Sequence, residues 1–182
     1  MNTLATLSEC GTFRYDLTRE WTRGLYDDDR GVLLIMLNPS TADATKDDPT
    51  IRRAIGFAKA WKCCSLTVVN LFAYRATDPK DLLARIESGE DAVGKENDQH
   101  IIAALERAES RGDYIVAAWG ANGSHKLIKP RRDAVLRMLP VADTCCLETC
   151  ASGDPKHPLY CKGWLVPVQY EFPRSAWEAS NA

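Results

Sequence analysis

The sequence predicts an α/β protein: a central, mainly parallel sheet of four strands with helices on both faces, in three α/β/α layers. Three observations predict it. Four apolar runs, at 32–37, 65–72, 113–120 and 144–148, are short and mostly rich in branched residues, as strands buried on both faces are. Helix signals fall between them, so the chain reads strand, helix, strand, helix, strand, helix, strand. That alternation implies right-handed crossovers and a parallel sheet.

Each element has its own warrant. "TFRYDLTREW" (12–21) alternates enough for a strand or hairpin, and "YDDDRG" (26–31) reads as a turn with a solvated acidic run. "VLLIML" (32–37) is the first buried strand. Asp48-Pro49 reads as an N-cap followed by proline at the first helical position. The helix over 49–61 then places Ile51, Ile55, Ala58 and Trp61 near one face. "SLTVVNLF" (65–72) is the second strand. Asp78-Pro79 repeats the helix start, and 95–110 forms a further helix with Ile101, Ile102, Leu105 and Ala108 inward. "DYIVAAWG" (113–120) is the third strand, closed by Gly120. Pro130 opens a helix to about Leu139, and "TCCLE" (144–148) is the fourth strand. The extended stretch 164–172 contains Pro167, which assigns it to an edge or a tail.

The chain has 182 residues, and 1–182 reads as a single domain. Lys plus Arg is 23 and Asp plus Glu is 25, for a net charge of −2. Nucleic acid would therefore be met by a local basic patch, not by a whole-body positive field. The opening "MNTLATLSECGTFRYD" lacks a basic region followed by an apolar one, and no run approaches the roughly 18 apolar residues of a membrane span. A cytoplasmic protein with reduced thiols and no membrane partner is expected. Seven cysteines stand at 10, 63, 64, 145, 146, 150 and 161. They form no C-x-x-C pair, so they are expected to act as buried small hydrophobes, with no metal and no other cofactor.

A polar cluster follows each apolar run. Asn38, Pro39, Ser40 and Thr41 follow the first. Asn70 closes the second, with Tyr74, Arg75 and Thr77 in its loop. Trp119, Gly120, Ala121 and Asn122 end the third, and Asp154, Lys156 and His157 follow the fourth. Parallel strands put these ends on one edge, where open α/β sheets bind ligands. The loops at 38 and 157 are therefore expected to meet. Each piece also has a plain structural role. Asn38 and Asn70 suit turns, Arg75 and "KPRR" (129–132) suit solvated faces, and a lone histidine suits a structural contact. His157 stands apart from His100 and His125 because prolines flank it closely.

"LNPSTAD", "DDPTIRR", "NLFAYRATDP", "AAWGANG" and "PKHPLY" resemble, in order and spacing, the bacterial and phage family called domain of unknown function 1643. That likeness spans about Phe13 to Tyr160. More distantly, Asn38-Pro39, Asn70, the "AAWG" run and His157-Pro158 resemble motifs of the uracil-DNA glycosylase superfamily. The likeness implies a three-layer α/β/α fold with its site at the strand ends. The departures are that Leu37 stands where a glycine is usual, and that the run after the histidine is His-Pro-Leu-Tyr, not His-Pro-Ser-Pro.

The resemblance implies an enzyme that cleaves a nucleobase N-glycosidic bond. His157 would donate to the departing base, a contribution of ~3–4 kcal/mol when preorganised. Asn38 would hold the water, with Asp43 as general base. Asn70 would pair with a base edge, since a carboxamide offers a donor and an acceptor. Phe72 or Tyr74 would stack on the base. Pro39, Ser40, Thr41, Arg75, Trp119 and Lys156 would complete the binding surface, and the amides near Ser40, Thr41 and Pro49 would take a phosphate. The expected partner is nucleic acid or a nucleotide. The alternatives are a non-catalytic module that kept the base pocket, and another small-molecule enzyme on the same scaffold.

Overall fold

The computed structural model describes residues 2–22, 24 and 29–173. Seven strands form one mixed sheet: β1 (Asn2–Leu7), β2 (Arg14–Glu20), β3 (Gly31–Met36), β4 (Ser65–Asn70), β5 (Tyr114–Ala117), β6 (Thr144–Cys146) and β7 (Val168–Gln169). Four α-helices accompany them: α1 (Pro49–Ala60), α2 (Pro79–Glu87), α3 (Asn97–Arg111) and α4 (Lys129–Leu136). The strand order is β1-β2-β4-β3-β5-β6-β7. The four apolar runs are β3, β4, β5 and β6. They pair in parallel, while β2 meets β4, β1 meets β2 and β7 meets β6 antiparallel.

The sheet is wider than the four strands expected. β1 was not foreseen, because "NTLATL" is polar and small. As an outermost strand it alternates exposed and half-buried residues and needs no apolar run. The hairpin expected over 12–21 is β2 folded on β1. Pro167 does mark the border of an edge strand, since β7 is two residues long. The acidic turn expected at 26–31 lies partly outside the described residues.

β3 is buried along its length because both of its faces are covered. Val32, Leu34 and Met36 pack with Ile51, Ala54 and Ala58 of α1. Leu33 and Ile35 pack with Ile101 and Leu105 of α3, Leu82 of α2 and Val135 and Leu136 of α4. Helices therefore cover both faces. The Asp48 side chain caps α1 by accepting from the Ile51 N–H at 2.9 Å, with Pro49 in the first turn. In α3 the inward set is Ile101, Ala104, Leu105 and Ala108. Ile102 is 44% exposed, a correction that follows from helical spacing, because 102 lies off the 101/105/108 stripe. Likewise Trp61 caps α1 instead of lying within it, and β4 ends at Asn70, two residues early.

All seven cysteines are free, but only Cys63, Cys146 and Cys161 are buried; Cys10 is exposed. No group of three or more His, Cys, Asp or Glu side chains suited to a metal occurs among the described residues. No helix among them is long and apolar enough to cross a membrane.

Candidate functional site

Register decides what meets at the sheet's carboxyl edge. Met36 stands opposite Asn70, Ile35 opposite Ala117, and the Ala118 N–H reaches the Ile35 carbonyl, so β3, β4 and β5 end at one level. The chain leaves β3 toward β4 on one side and later reaches β5 on the other. That reversal makes a topological switch point, where a crevice opens. A cavity of ≈ 590 Å³ lies there. Its walls come from the loop after β3, the start of α1, the end of β4, the loop after β5 and the segment around His157. The loops at 38 and 157 meet across it.

Seven of the sequence-derived site residues line this cleft: Asn38, Ser40, Thr41, Asn70, Trp119, Lys156 and His157. Four do not. Pro39 carries the backbone beside the cleft, its carbonyl taken by the Ala76 N–H. Asp43 closes a local turn: its Oδ1 accepts from the Thr45 and Lys46 N–H groups and the Thr45 hydroxyl. These bonds, those from Thr45 first, hold its carboxyl below the usual range. Tyr74 packs against the core with the Arg85 guanidinium 4.4 Å over its ring, and Arg75 donates to the Gly11 carbonyl at 3.1 Å. Phe72 is a core residue.

Inside the cleft, the side chains differ in what they leave free. The Asn38 amide nitrogen donates to the Pro39 and Ala76 carbonyls at 3.0 and 2.8 Å, so the side-chain oxygen is the part left for a ligand. Lys156 is held by Glu148 at 3.0 Å. The Trp119 indole N–H is spent on Asp154 at 3.2 Å. Asn70 is different. It is 1% exposed, yet neither its Oδ1 nor its Nδ2 has a hydrogen-bond partner among the described residues. Its backbone is clamped: Asn97 donates to the Asn70 and Leu71 carbonyls, and Arg131 Nε donates to the Leu71 carbonyl at 2.6 Å. The strand end is fixed, while both polar atoms of the carboxamide are buried in the cleft wall without a hydrogen-bond partner.

His157 is half-buried, and burial pushes its pKa below the ordinary histidine value, with Asp48 opposing. Its Nδ1 accepts the Leu159 N–H at 3.3 Å, so the neutral ring carries its proton on Nε2. Gly120 makes room for it. At φ 80° this glycine takes a conformation other residues avoid, and a side chain there would press on His157 Cβ.

Sequence reasoning missed two charged groups. Arg14, on β2, and Asp48, the cap of α1, both line the cleft. Asp48 was visible as a capping residue, but nothing in its position showed that it would face a cavity. Arg14 lies on a strand that the four apolar runs do not include. Asp48 favours the charged forms of both Arg14 and His157, so its carboxylate is felt across the cleft.

The fold and the cleft define a class: a doubly wound α/β protein with a crevice at its switch point. The chain belongs to the family described as "Protein of unknown function (DUF1643)", matched over residues 14–159. The matched span contains the whole parallel sheet and the cleft residues from Arg14 to Leu159. No curated protein matches the chain, and no solved structure does.

Proposed function

We propose that the cleft binds a nucleobase and that the protein hydrolyses its N-glycosidic bond, as an enzyme resembling the uracil-DNA glycosylase superfamily. One observation carries the reading: the buried, unpartnered carboxamide of Asn70 in the cleft wall. An unsatisfied buried polar group costs about 1–3 kcal/mol. A pyrimidine edge, with a donor beside an acceptor, is a ligand that would satisfy both atoms at once. The motif likeness at Asn38-Pro39, Asn70 and His157-Pro158 supports the same reading, since all three lead into one cavity.

The chemistry assigns each group a role. Bond cleavage builds negative charge on the base, and the Nε2–H of neutral His157 donates to it. The free Oδ1 of Asn38 orients a water. Asp48 takes the place first given to Asp43 as the carboxylate near that water, because Asp43 is committed to its turn.

The test is incubation with single-stranded and duplex oligonucleotides carrying uracil or modified bases, read by strand cleavage at abasic sites. Free nucleotides are assayed alongside for base release. Release from at least one substrate is expected. Asn70→Asp should change which base is preferred by roughly 1–3 kcal/mol, since one donor becomes an acceptor. Base binding without release would favour the non-catalytic nucleotide-binding module. Absence of both binding and release would overturn the base pocket itself.

A further inference from the structure

Among the described residues, three arginines are buried. Arg19 is ion-paired with Asp47 at 2.8 Å and donates to the carbonyls of Leu4, Thr18 and Asp43. Arg132 is paired with Asp133 at 2.7 Å and Asp154 at 3.0 Å. Arg14, only 2% exposed, has neither arrangement. Its Nη1 donates to the Ala42 carbonyl at 2.9 Å, its Nε has no partner, and no carboxylate forms an ion pair with it among the described residues. It is also the one of the three that lines the cleft.

A buried guanidinium without a hydrogen-bonded counter-anion is costly: Asp48 favours its charged form from across the cleft, but burial outweighs that. Burial lowers its pKa to about 10, so it remains a cation at neutral pH. Asp48 shares the wall, but one of its oxygens is used by the first turn of α1. Thr50, in the first turn of α1, and Ser40 and Thr41 line the same cleft. Helix starts of this kind favour anions.

We propose that Arg14 is the anion-binding residue of the cleft, and that its ligand carries a phosphate as well as a base. This rests on the base-binding reading. The phosphate is either a terminal monoester on a free nucleotide or a diester within a nucleic-acid strand. The chemistry at Arg14 is the same for both, and the cleft then has a place for each end of the ligand.

The experiment measures binding of four nucleosides, their 5′-monophosphates and the matching dinucleotides to the full chain by calorimetry. Inorganic phosphate is titrated separately by thermal shift. For the preferred base, the phosphorylated ligand should bind roughly tenfold or more tightly than the nucleoside. That gap should shrink with added salt. Arg14→Met should abolish the gap, and Arg14→Lys should restore part of it. A gap with the monophosphate alone identifies the free nucleotide, and one with the dinucleotide alone identifies the strand. Equal affinity for nucleoside and phosphorylated ligand overturns the proposal while leaving the base pocket standing. So does a gap that survives in folded Arg14→Met, or one insensitive to salt in the unaltered protein. If no nucleoside binds but inorganic phosphate stabilises the parent and not Arg14→Met, the base reading fails and the anion site stands. If neither binds, both fail.

Discussion

Two sets of buried polar side chains are built in opposite ways: one reaches the cleft only through Trp119, and the other lines it directly. On one flank, Asp154 sits at the centre of a closed network. It accepts from the Trp119 indole, Arg132, Ser124 and Ser152, while Arg132 also pairs with Asp133, which holds Lys129 at 3.0 Å. Gly123 permits this closure, since a methyl there would overlap Asp154 Oδ1 and the indole nitrogen. On the other flank, Asn70 and Arg14 are equally buried and have side-chain atoms with no hydrogen-bond partner among the described residues. A closed network holds structure, because every group in it is satisfied without a ligand. An open one is a standing cost to the fold, and it is offset when something binds. The closed side also positions the open one: it anchors the 150–157 segment that presents His157.

The sharpest way to break this comparison is on the closed side. Asp154→Ala removes one carboxylate from beside Arg132 and strands the Trp119 N–H. It should cost about 3–5 kcal/mol, measured by denaturant unfolding, with melting lowered by roughly 10 °C. A loss below about 1 kcal/mol would show that the network does not hold the fold.

Next is His157→Ala. Turnover should fall roughly a hundredfold to a thousandfold in single-turnover assays, as for loss of one preorganised donor. Melting should stay within a few degrees of the parent, because Pro155 and Pro158 and the anchored segment fix the loop without the ring. A large drop in melting with near-normal turnover per folded molecule would make His157 a structural residue.

The open side predicts the opposite sign. Asn70→Leu replaces an unpartnered carboxamide with an apolar side chain of similar size. Stability should be unchanged or higher by up to about 1–3 kcal/mol in denaturant titration, while ligand binding is lost. Destabilisation comparable to Asp154→Ala would mean that Asn70 is satisfied in a way its surroundings do not show.

The smallest effect is in pH. Burial holds His157 below the ordinary value of about 6.5 in the native state. Between that value and the lower native one, the unfolded chain binds a proton that the folded chain does not. Stability should therefore be full above about pH 6.5 and decline as pH falls through that window. His157→Gln should flatten this part of the stability–pH curve. An unchanged slope would assign it to other groups.

Much of the architecture was legible because it depends on local pattern. The buried runs at 32–37, 65–70 and 113–117 centre on branched apolar residues, and Asp48-Pro49 and Asp78-Pro79 announce two helix starts. β1 was not legible, because an edge strand needs only one half-buried face. Ile102 was misplaced because an apolar residue one position off the stripe looks the same in sequence as one on it.

The candidate site divides along the same line. Asn38, Asn70 and His157 stood out because each follows a strand-like run, and parallel pairing alone requires those ends to share an edge. Which side chains are left open there was decided only by tertiary structure. Asp43 is consumed by its turn, while Asp48, legible as a helix cap, also faces the cavity, which its sequence position does not reveal. Arg14 and Arg132 are both arginines in polar stretches, yet only one has buried carboxylates within reach. Satisfaction of a buried polar group depends on partners brought from elsewhere in the chain, 22 residues away for Arg132 and Asp154 and 35 for Trp119 and Asp154. Local pattern sets where strands end, but long-range packing sets which of their polar atoms remain without a partner.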